Sequence, residues 1–205
     1  MNEYPVACGR AQVEEVISKS RFITVVTPFS EPEQLKQALA QVKQEFPNAS
    51  HYCWAYLADA PTDTVKAGCS DDGEPSGTAG RPMLNALQGF GCGQVLAVVV
   101  RYYGGVKLGT GGLARAYVSG LKHALKQLPT KTKRLLKISR FTIDYQHAEP
   151  IQRLLRGCNG ELLSQNYDDR VTFEVGLPKN QIDKFTLGVN NLTNGRVTVS
   201  FQNKS

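Results

Sequence analysis

A glycine-rich loop lies in the stretch VVVRYYGGVKLGTGGLARAY, between a long apolar run and a helical pattern. Residues 109–114 fit the variant dinucleotide fingerprint G-x-G-x-x-A. That fingerprint also requires an acidic residue about 20 residues later to bind the ribose, but the next acid in this chain is Asp144. The P-loop pattern fails as well, because Lys107 is followed by Leu108 and not by serine or threonine. Both nucleotide-binding interpretations are therefore rejected.

The same loop offers a simpler site for an anion. Thr110 is placed to cap the helix, and Gly111 and Gly112 leave the first backbone N–H groups uncovered at the positive end of the helix dipole. Arg101 and Lys107 are near in sequence and add positive charge. The alternative is that the glycines only allow strand, loop and helix to pack closely. The sequence leaves both interpretations open.

Two adjacent tyrosines, Tyr102 and Tyr103, end the apolar run. Neighbouring side chains on a strand point to opposite faces, so we expect one ring in the core. The other ring is then available to stack on a nucleic-acid base. Both are candidate nucleic-acid contacts.

A second polar loop, CSDDGEPSGTAGRP, spans residues 69–82 and leads into a helix. It clusters three carboxylates, Asp71, Asp72 and Glu74, which could bind Mg²⁺ or act in acid–base catalysis. They could equally cap turns or pair with nearby arginines. No Cys–His or Ser–His arrangement that would complete a nucleophilic site is visible in the sequence.

Positive charge is concentrated in the middle of the chain. Residues 1–74 carry 6 basic and 11 acidic side chains, whereas residues 75–143 carry 11 basic side chains and no acidic one. A field of one sign attracts polyanions, and nucleic acid is the commonest of these. Alternatively, the acidic N-terminal part folds over this block and neutralises it. The candidate phosphate contacts are Arg101, Lys107, Arg115, Lys122, Lys126, Lys131, Lys133 and Arg134.

Composition restricts the class of protein. Hydrophobic residues make up 41% and charged residues 20% of the chain, as in ordinary globular proteins. No apolar run reaches about 18 residues, so we expect no membrane span. Five cysteines without a CxxC pair indicate reduced thiols in the cytoplasm. The three histidines are too scattered for a metal cluster, so we expect neither metal nor cofactor, and His51 and His123 are interpreted as structural.

The predicted elements fall into two groups on either side of a polar, proline-led segment, PTKTKR, which is interpreted as a linker. The first group contains a hairpin turning near residues 19–20, three helices and a buried central strand. The second follows the order β-α-β-β-α-β and ends in a strand over residues 196–201, which is the ferredoxin-like plan. We therefore predict an α+β protein with domains at 1–130 and 131–205.

The two loop motifs, in this order and at this separation, resemble those of the YigZ/IMPACT family, in particular its bacterial branch. The resemblance implies a left-handed βαβ N-terminal domain like domain 2 of a small-subunit ribosomal protein. It also implies a ferredoxin-like C-terminal domain similar to domain V of elongation factor G. Eukaryotic relatives regulate translation by binding the activator of a kinase that phosphorylates an initiation factor. Residues 1–30 are too short for the domain that does so, and this binding is not carried over.

Two functions are open at this point. The first is a non-catalytic cytoplasmic protein that contacts RNA or the ribosome and is linked to regulation of translation, with a translation factor or regulatory protein as a further partner. The second is a Mg²⁺-dependent enzyme acting on a phosphorylated small molecule, with the acidic loop facing the glycine loop across a cleft. A closed pocket between the loops favours the enzyme, whereas basic residues on an open face favour the binding protein.

Overall fold

The computed structural model describes residues 3–202. They form two units, one of Tyr4–Lys133 and the other of the residues from Arg134 onward together with Glu3. Both units combine helices with antiparallel sheet, which confirms the predicted two-domain α+β fold. Among the described residues, no helix is both long enough and apolar enough to cross a membrane.

The first unit is built on a five-stranded antiparallel sheet. Its strands are β2 (Ala11–Ile17), β3 (Ser20–Pro28), β4 (His51–Leu57), β5 (Ala67–Ser70) and β6 (Val95–Tyr102). They lie in the order β2-β3-β6-β4-β5. Its helices are α1 (Leu35–Glu45), α2 (Gly80–Phe90) and α3 (Gly109–Gln127). The predicted β2–β3 hairpin is present and turns at Ser18 and Lys19, which both have positive φ angles.

Strand β6 is the central strand, bonded to β3 on one side and β4 on the other. Residues 95–101 are all buried, which confirms the predicted burial on both faces. Val95, Ala97 and Val99 pack with residues of α2 and α3, whereas Val98 and Val100 pack on the α1 side. Each fully buried valine contributes roughly 1.5–3 kcal/mol to stability. The same alternation directs residue 101 toward the α2 and α3 face.

The predicted linker is instead a strand. Residues Thr130–Arg134 form β7, which pairs with β1 (Glu3–Ala7) in a two-stranded sheet. Next to this pairing, the Cys8 N–H donates to the Pro129 carbonyl at 2.9 Å. The boundary between the two units falls inside the predicted linker, at Lys133 and Arg134. The strand within it was not predicted, because β7 is polar and largely exposed and its sequence lacks the apolar alternation by which strands are recognised.

The second unit contains a three-stranded antiparallel sheet in the order β8-β10-β9, with two helices. Its elements are β8 (Leu136–Ile143), α4 (Ala148–Gly157), β9 (Glu161–Tyr167), β10 (Val171–Pro178) and α5 (Ile182–Leu192). The strand predicted over residues 196–201 does not form, and only Gln202 makes an isolated antiparallel bridge, to Ile138. Val197, Val199 and Phe201 nevertheless pack against the core, so the alternation correctly indicated burial but not pairing.

Candidate functional site

A cavity of about 530 Å³ lies where the end of β6, the acidic loop and the start of α3 meet. Its volume lies within the range of small-molecule sites. The two loop motifs singled out in the sequence therefore meet in space. The lining residues are His51, Gly73, Glu74, Pro75, Arg101, Tyr103, Lys107, Leu108, Gly109, Thr110 and Leu113.

A buried ion pair forms part of the cavity wall. Arg101 Nη1 donates to Glu74 Oε1 at 2.5 Å, and the two side chains are only 5% and 3% exposed. Arg101 Nη2 also donates to Ser20 Oγ at 3.2 Å. The guanidinium carbon lies 5.3 Å from the ring centroid of Tyr103. The expectation that Arg101 offers its charge on an open face is therefore corrected, because its acidic partner and the sheet enclose it.

Glu74 uses one carboxylate oxygen for its protein contacts. The Tyr117 hydroxyl donates to Glu74 Oε1 at 2.8 Å, beside the bond from Arg101. Burial raises the pKa of Tyr117 far above its ordinary value, so its hydroxyl remains a neutral donor. Within the described part of the chain, Glu74 Oε2 has no hydrogen-bond partner. This second oxygen is an acceptor at the cavity.

The His51 ring is held in one tautomer. Its Nδ1 lies 2.8 Å from the backbone carbonyl of Asp72, and a carbonyl only accepts, so Nδ1 carries the proton and donates. In the neutral ring, Nε2 is then an acceptor, 3.9 Å from Glu74 Oε1. From the sequence alone, His51 is interpreted as structural. Its place at the cavity follows from the pairing of β4 with β6, which sets His51 directly opposite Arg101.

Two of the three predicted acidic residues have structural roles. Asp71 Oδ1 accepts the Ala79 and Gly80 N–H groups at 2.9 and 2.8 Å, while its Oδ2 accepts a third N–H group, so it caps the start of α2. Burial would raise the pKa of Asp71, but these N–H groups outweigh it and lower that pKa. Asp72 Oδ2 accepts the Tyr52 N–H at 2.7 Å. In residues 3–202, no group of three or more His, Cys, Asp or Glu side chains could hold a metal ion.

The glycine loop contains both closely packed and open positions. A Cβ at Gly104 would lie 1.9 Å from the backbone oxygen of Lys19, so this glycine permits close packing. Gly109 has φ +72°, a left-handed conformation at the turn into α3. At Gly111 a Cβ would meet only a side-chain nitrogen of Arg115, at 3.6 Å, so this position is not closely packed. Thr110 was predicted to cap α3, but the residue at the N-cap is Leu108, which makes no side-chain cap bond.

The remaining basic residues divide into paired and unpaired ones. Lys133 Nζ lies 3.7 Å from Asp59 Oδ1, and Arg134 contacts Glu3 and Glu161, so both side chains have carboxylate partners. Among the described residues, the exposed side chains without an acidic partner within 4.0 Å include Lys107, Arg115, Lys122, Lys126 and Lys131.

The two tyrosines at the end of β6 separate as their spacing predicts. Tyr102 packs against the cluster on the α1 side, and its hydroxyl donates to the Pro47 carbonyl at 3.0 Å. Tyr103 is 49% exposed and lines the cavity. Gly112 lies in the first turn of α3, beside Leu108.

Fold and site together define a two-domain α+β protein with a small-molecule-sized cavity between two loop motifs of its first unit. Residues 18–125 match the Impact N-terminal domain, and residues 141–196 match a domain of unknown function (DUF1949). The chain belongs to the IMPACT family, as the two motifs predict. Both motifs lie in the Impact N-terminal domain.

Bacterial relatives match along nearly the whole chain. Identity is 42% to an IMPACT family member of Haemophilus influenzae, over 97% of both chains. It is 40% to the IMPACT family member YigZ of Escherichia coli, over 95% of this chain and 96% of that protein. Mouse Protein IMPACT is 34% identical over 51% of this chain and 32% of its own length. A crystal structure described as that of a hypothetical protein superposes with a TM-score of 0.69 at 38% identity, covering 100% of both chains.

Proposed function

We propose that this protein binds nucleic acid, as free RNA or within the ribosome, through one face of α3, and that it acts in the cytoplasm in the regulation of translation. The observation that carries the proposal is a row of three exposed cations, Arg115, Lys122 and Lys126, which we name the α3 cationic row. Separations of seven and four residues place them on one helix face. Within residues 3–202 none of the three has an acidic partner.

The geometry of the α3 cationic row suits a phosphate backbone. At a rise of about 1.5 Å per residue, Arg115 and Lys126 are roughly 16 Å apart along the axis. That span covers several phosphates of one strand, at about 3.4 Å per nucleotide in a duplex. Glu15, the acid beside this face, is already engaged by Ser119 and His123, with its Oε1 2.9 Å from His123 Nδ1.

Internal neutralisation of the basic block is only partial. Arg101, Lys133 and Arg134 are paired with carboxylates, as the alternative interpretation of the charge pattern required. The α3 cationic row is not, so its charges are available to a partner. The link to translation is supported by the resemblance to eukaryotic family members, and the mouse protein aligns with 51% of this chain. All five cysteines are free thiols, which suits the cytoplasm.

Salt-dependent binding of a single-stranded RNA oligonucleotide tests this function. Three phosphate contacts predict that log Kobs falls with log salt at a slope of about −2. Lys122→Glu combined with Lys126→Glu should weaken binding and flatten that slope. The matched control, Lys36→Glu with Lys184→Glu, changes the net charge equally at exposed positions outside α3 and should leave binding nearly unchanged. Equal losses in both double variants, or a flat salt dependence, would rule the proposal out.

The Mg²⁺-dependent enzyme is supported less well. The structure provides the pocket between the two loops, but only Glu74 of the three carboxylates lines it. Both carboxylate oxygens of Asp71 and the Oδ2 of Asp72 accept backbone N–H groups. The α3 cationic row therefore supports nucleic-acid binding better than the acidic loop supports metal catalysis.

A further inference from the structure

The cavity beside α3 has an electropositive interior that nucleic-acid binding by the α3 cationic row does not use. Of its charged lining residues, Arg101 and Lys107 are positive and Glu74 is negative. Because Glu74 is paired with Arg101, the charge of Lys107 is left uncompensated. Lys107 is exposed and has no acidic partner among the described residues. The net field inside the cavity favours an anion.

One of the lining residues, Arg101, also has a buried donor without a partner. Arg101 is only 4% exposed, and its Nη1 and Nη2 are bonded to Glu74 and Ser20. Its Nε is buried and has no hydrogen-bond partner in residues 3–202. An unpaired buried N–H of a charged group is destabilising, so native proteins rarely retain one without a ligand, water or function.

The N-terminus of α3 supplies further donors. The helix is 19 residues long and begins at Gly109, with no side-chain cap bond from the residue before it. The first backbone N–H groups of a helix lack internal partners and lie at the positive end of its dipole. Gly109 and Thr110 line the cavity, which brings these donors to it. Such a helix start, next to a lysine, suits a phosphate group.

Acceptors and an aromatic ring line the rest of the cavity. Glu74 Oε2 is free, and Nε2 of the His51 ring accepts a hydrogen bond when that ring is neutral. The half-exposed ring of Tyr103 forms an apolar wall. These groups suit the hydroxyl groups and carbon skeleton of a polyol or sugar. We propose that the cavity binds a small phosphate monoester of a hydroxylated molecule, with the phosphate at Lys107 and the α3 amides.

Titration of the ¹⁵N-labelled full chain with ribose 5-phosphate, followed by NMR, tests this proposal. We expect saturable shifts of the amides of Tyr103 and residues 109–112, weaker shifts with inorganic phosphate, and none with ribose. Lys107→Gln should weaken ribose 5-phosphate binding by roughly tenfold or more, since charge-assisted hydrogen bonds to phosphate are strong. Thr110→Glu, at an exposed position of the lining, should abolish it by repulsion.

The variant Lys122→Glu/Lys126→Glu separates the two proposals, because it should lose RNA binding while it keeps ribose 5-phosphate binding. The inference would be overturned if neither ribose 5-phosphate nor inorganic phosphate gave saturable shifts at concentrations up to about 10 mM, because a Kd above that concentration is too weak for a specific site. Equal shifts with ribose, or binding unchanged in both Lys107→Gln and Thr110→Glu, would overturn it too. If only an RNA oligonucleotide shifts these amides, the cavity is part of a nucleic-acid site and the small-molecule proposal fails.

Discussion

Replacement of Glu74 by leucine removes the carboxylate that compensates the buried Arg101 guanidinium. Both side chains are almost fully enclosed, at 3% and 5% exposed. An uncompensated buried charge costs about 3–5 kcal/mol. Tyr117 also loses the acceptor of its hydroxyl, which adds about 1 kcal/mol. We therefore expect Glu74→Leu to lower the free energy of unfolding of the first unit by about 4–6 kcal/mol, a large share of the roughly 5–15 kcal/mol typical of a domain.

Urea unfolding followed by tryptophan fluorescence measures this loss in the correct unit. The chain has a single tryptophan, Trp54, and it lies in β4, so its emission reports the first unit alone. Glu74→Gln, which keeps an acceptor, provides a milder variant if the leucine variant does not fold. As a control, Glu45→Gln removes an exposed partner of Arg10, with side chains 41% and 44% exposed, and should cost less than about 1 kcal/mol.

The double variant Glu74→Leu/Arg101→Met decides whether the ion pair is the cause. Replacement of both partners of a buried pair by apolar side chains is often neutral, so we expect recovery to within about 2 kcal/mol of the natural protein. If the double variant instead loses the sum of the two single losses, the sites are independent and the reasoning is refuted. A loss below about 1 kcal/mol in Glu74→Leu would refute it equally.

Two further predictions concern the loops. The pKa of Asp71 is lower in the folded state than the ordinary aspartate value of about 3.9. The stability that Asp71 contributes is therefore present above that ordinary value and is lost as pH falls through the folded pKa. Acid unfolding of Asp71→Asn, followed by Trp54 fluorescence, should be less steep below about pH 4, and an unchanged pH profile would contradict this role. Gly104→Ala should destabilise the first unit, because the added Cβ would lie 1.9 Å from a backbone oxygen. At Gly111 the nearest atom to an added Cβ is 3.6 Å away, so Gly111→Ala should be neutral or stabilise the helix by up to about 1 kcal/mol. Equal urea midpoints for the two alanine variants would contradict the proposed packing role of the first glycine.

The sequence predicted those features that depend on local pattern. The unbroken apolar run of β6 indicated a central strand, and β6 is buried on both faces. The alternation at residues 196–201 correctly indicated burial of Val199, although no ladder forms there. Periodicity reports which side chains face a core, and it does not report whether a neighbouring strand has free backbone groups to pair with.

Features that depend on distant partners were not predictable in the same way. Glu74 and Arg101 are 27 residues apart, and nothing in either motif says that one carboxylate of three turns inward. His51 lines the cavity because β4 pairs with β6 in one particular register. Since β6 is apolar on both faces, its hydrophobic pattern alone does not determine that register. The charge count predicted the basic block, but not which of its cations pair with carboxylates elsewhere in the chain. These cations include Arg101, Lys133 and Arg134.

The pairing of β1 with β7 has a consequence for the order in which the chain folds during synthesis. Thr130 lies more than 120 residues after Ala7, so β1 leaves the ribosome long before its partner exists. At about 5–20 residues per second, the delay is roughly 6 to 25 s. Throughout that time the backbone groups of β1 that pair with β7 stay open to water or to a chaperone, while Pro5 and Ala7 have a backbone partner in the earlier Gly93. Completion of this ribbon therefore marks the moment at which the first unit has been synthesised in full.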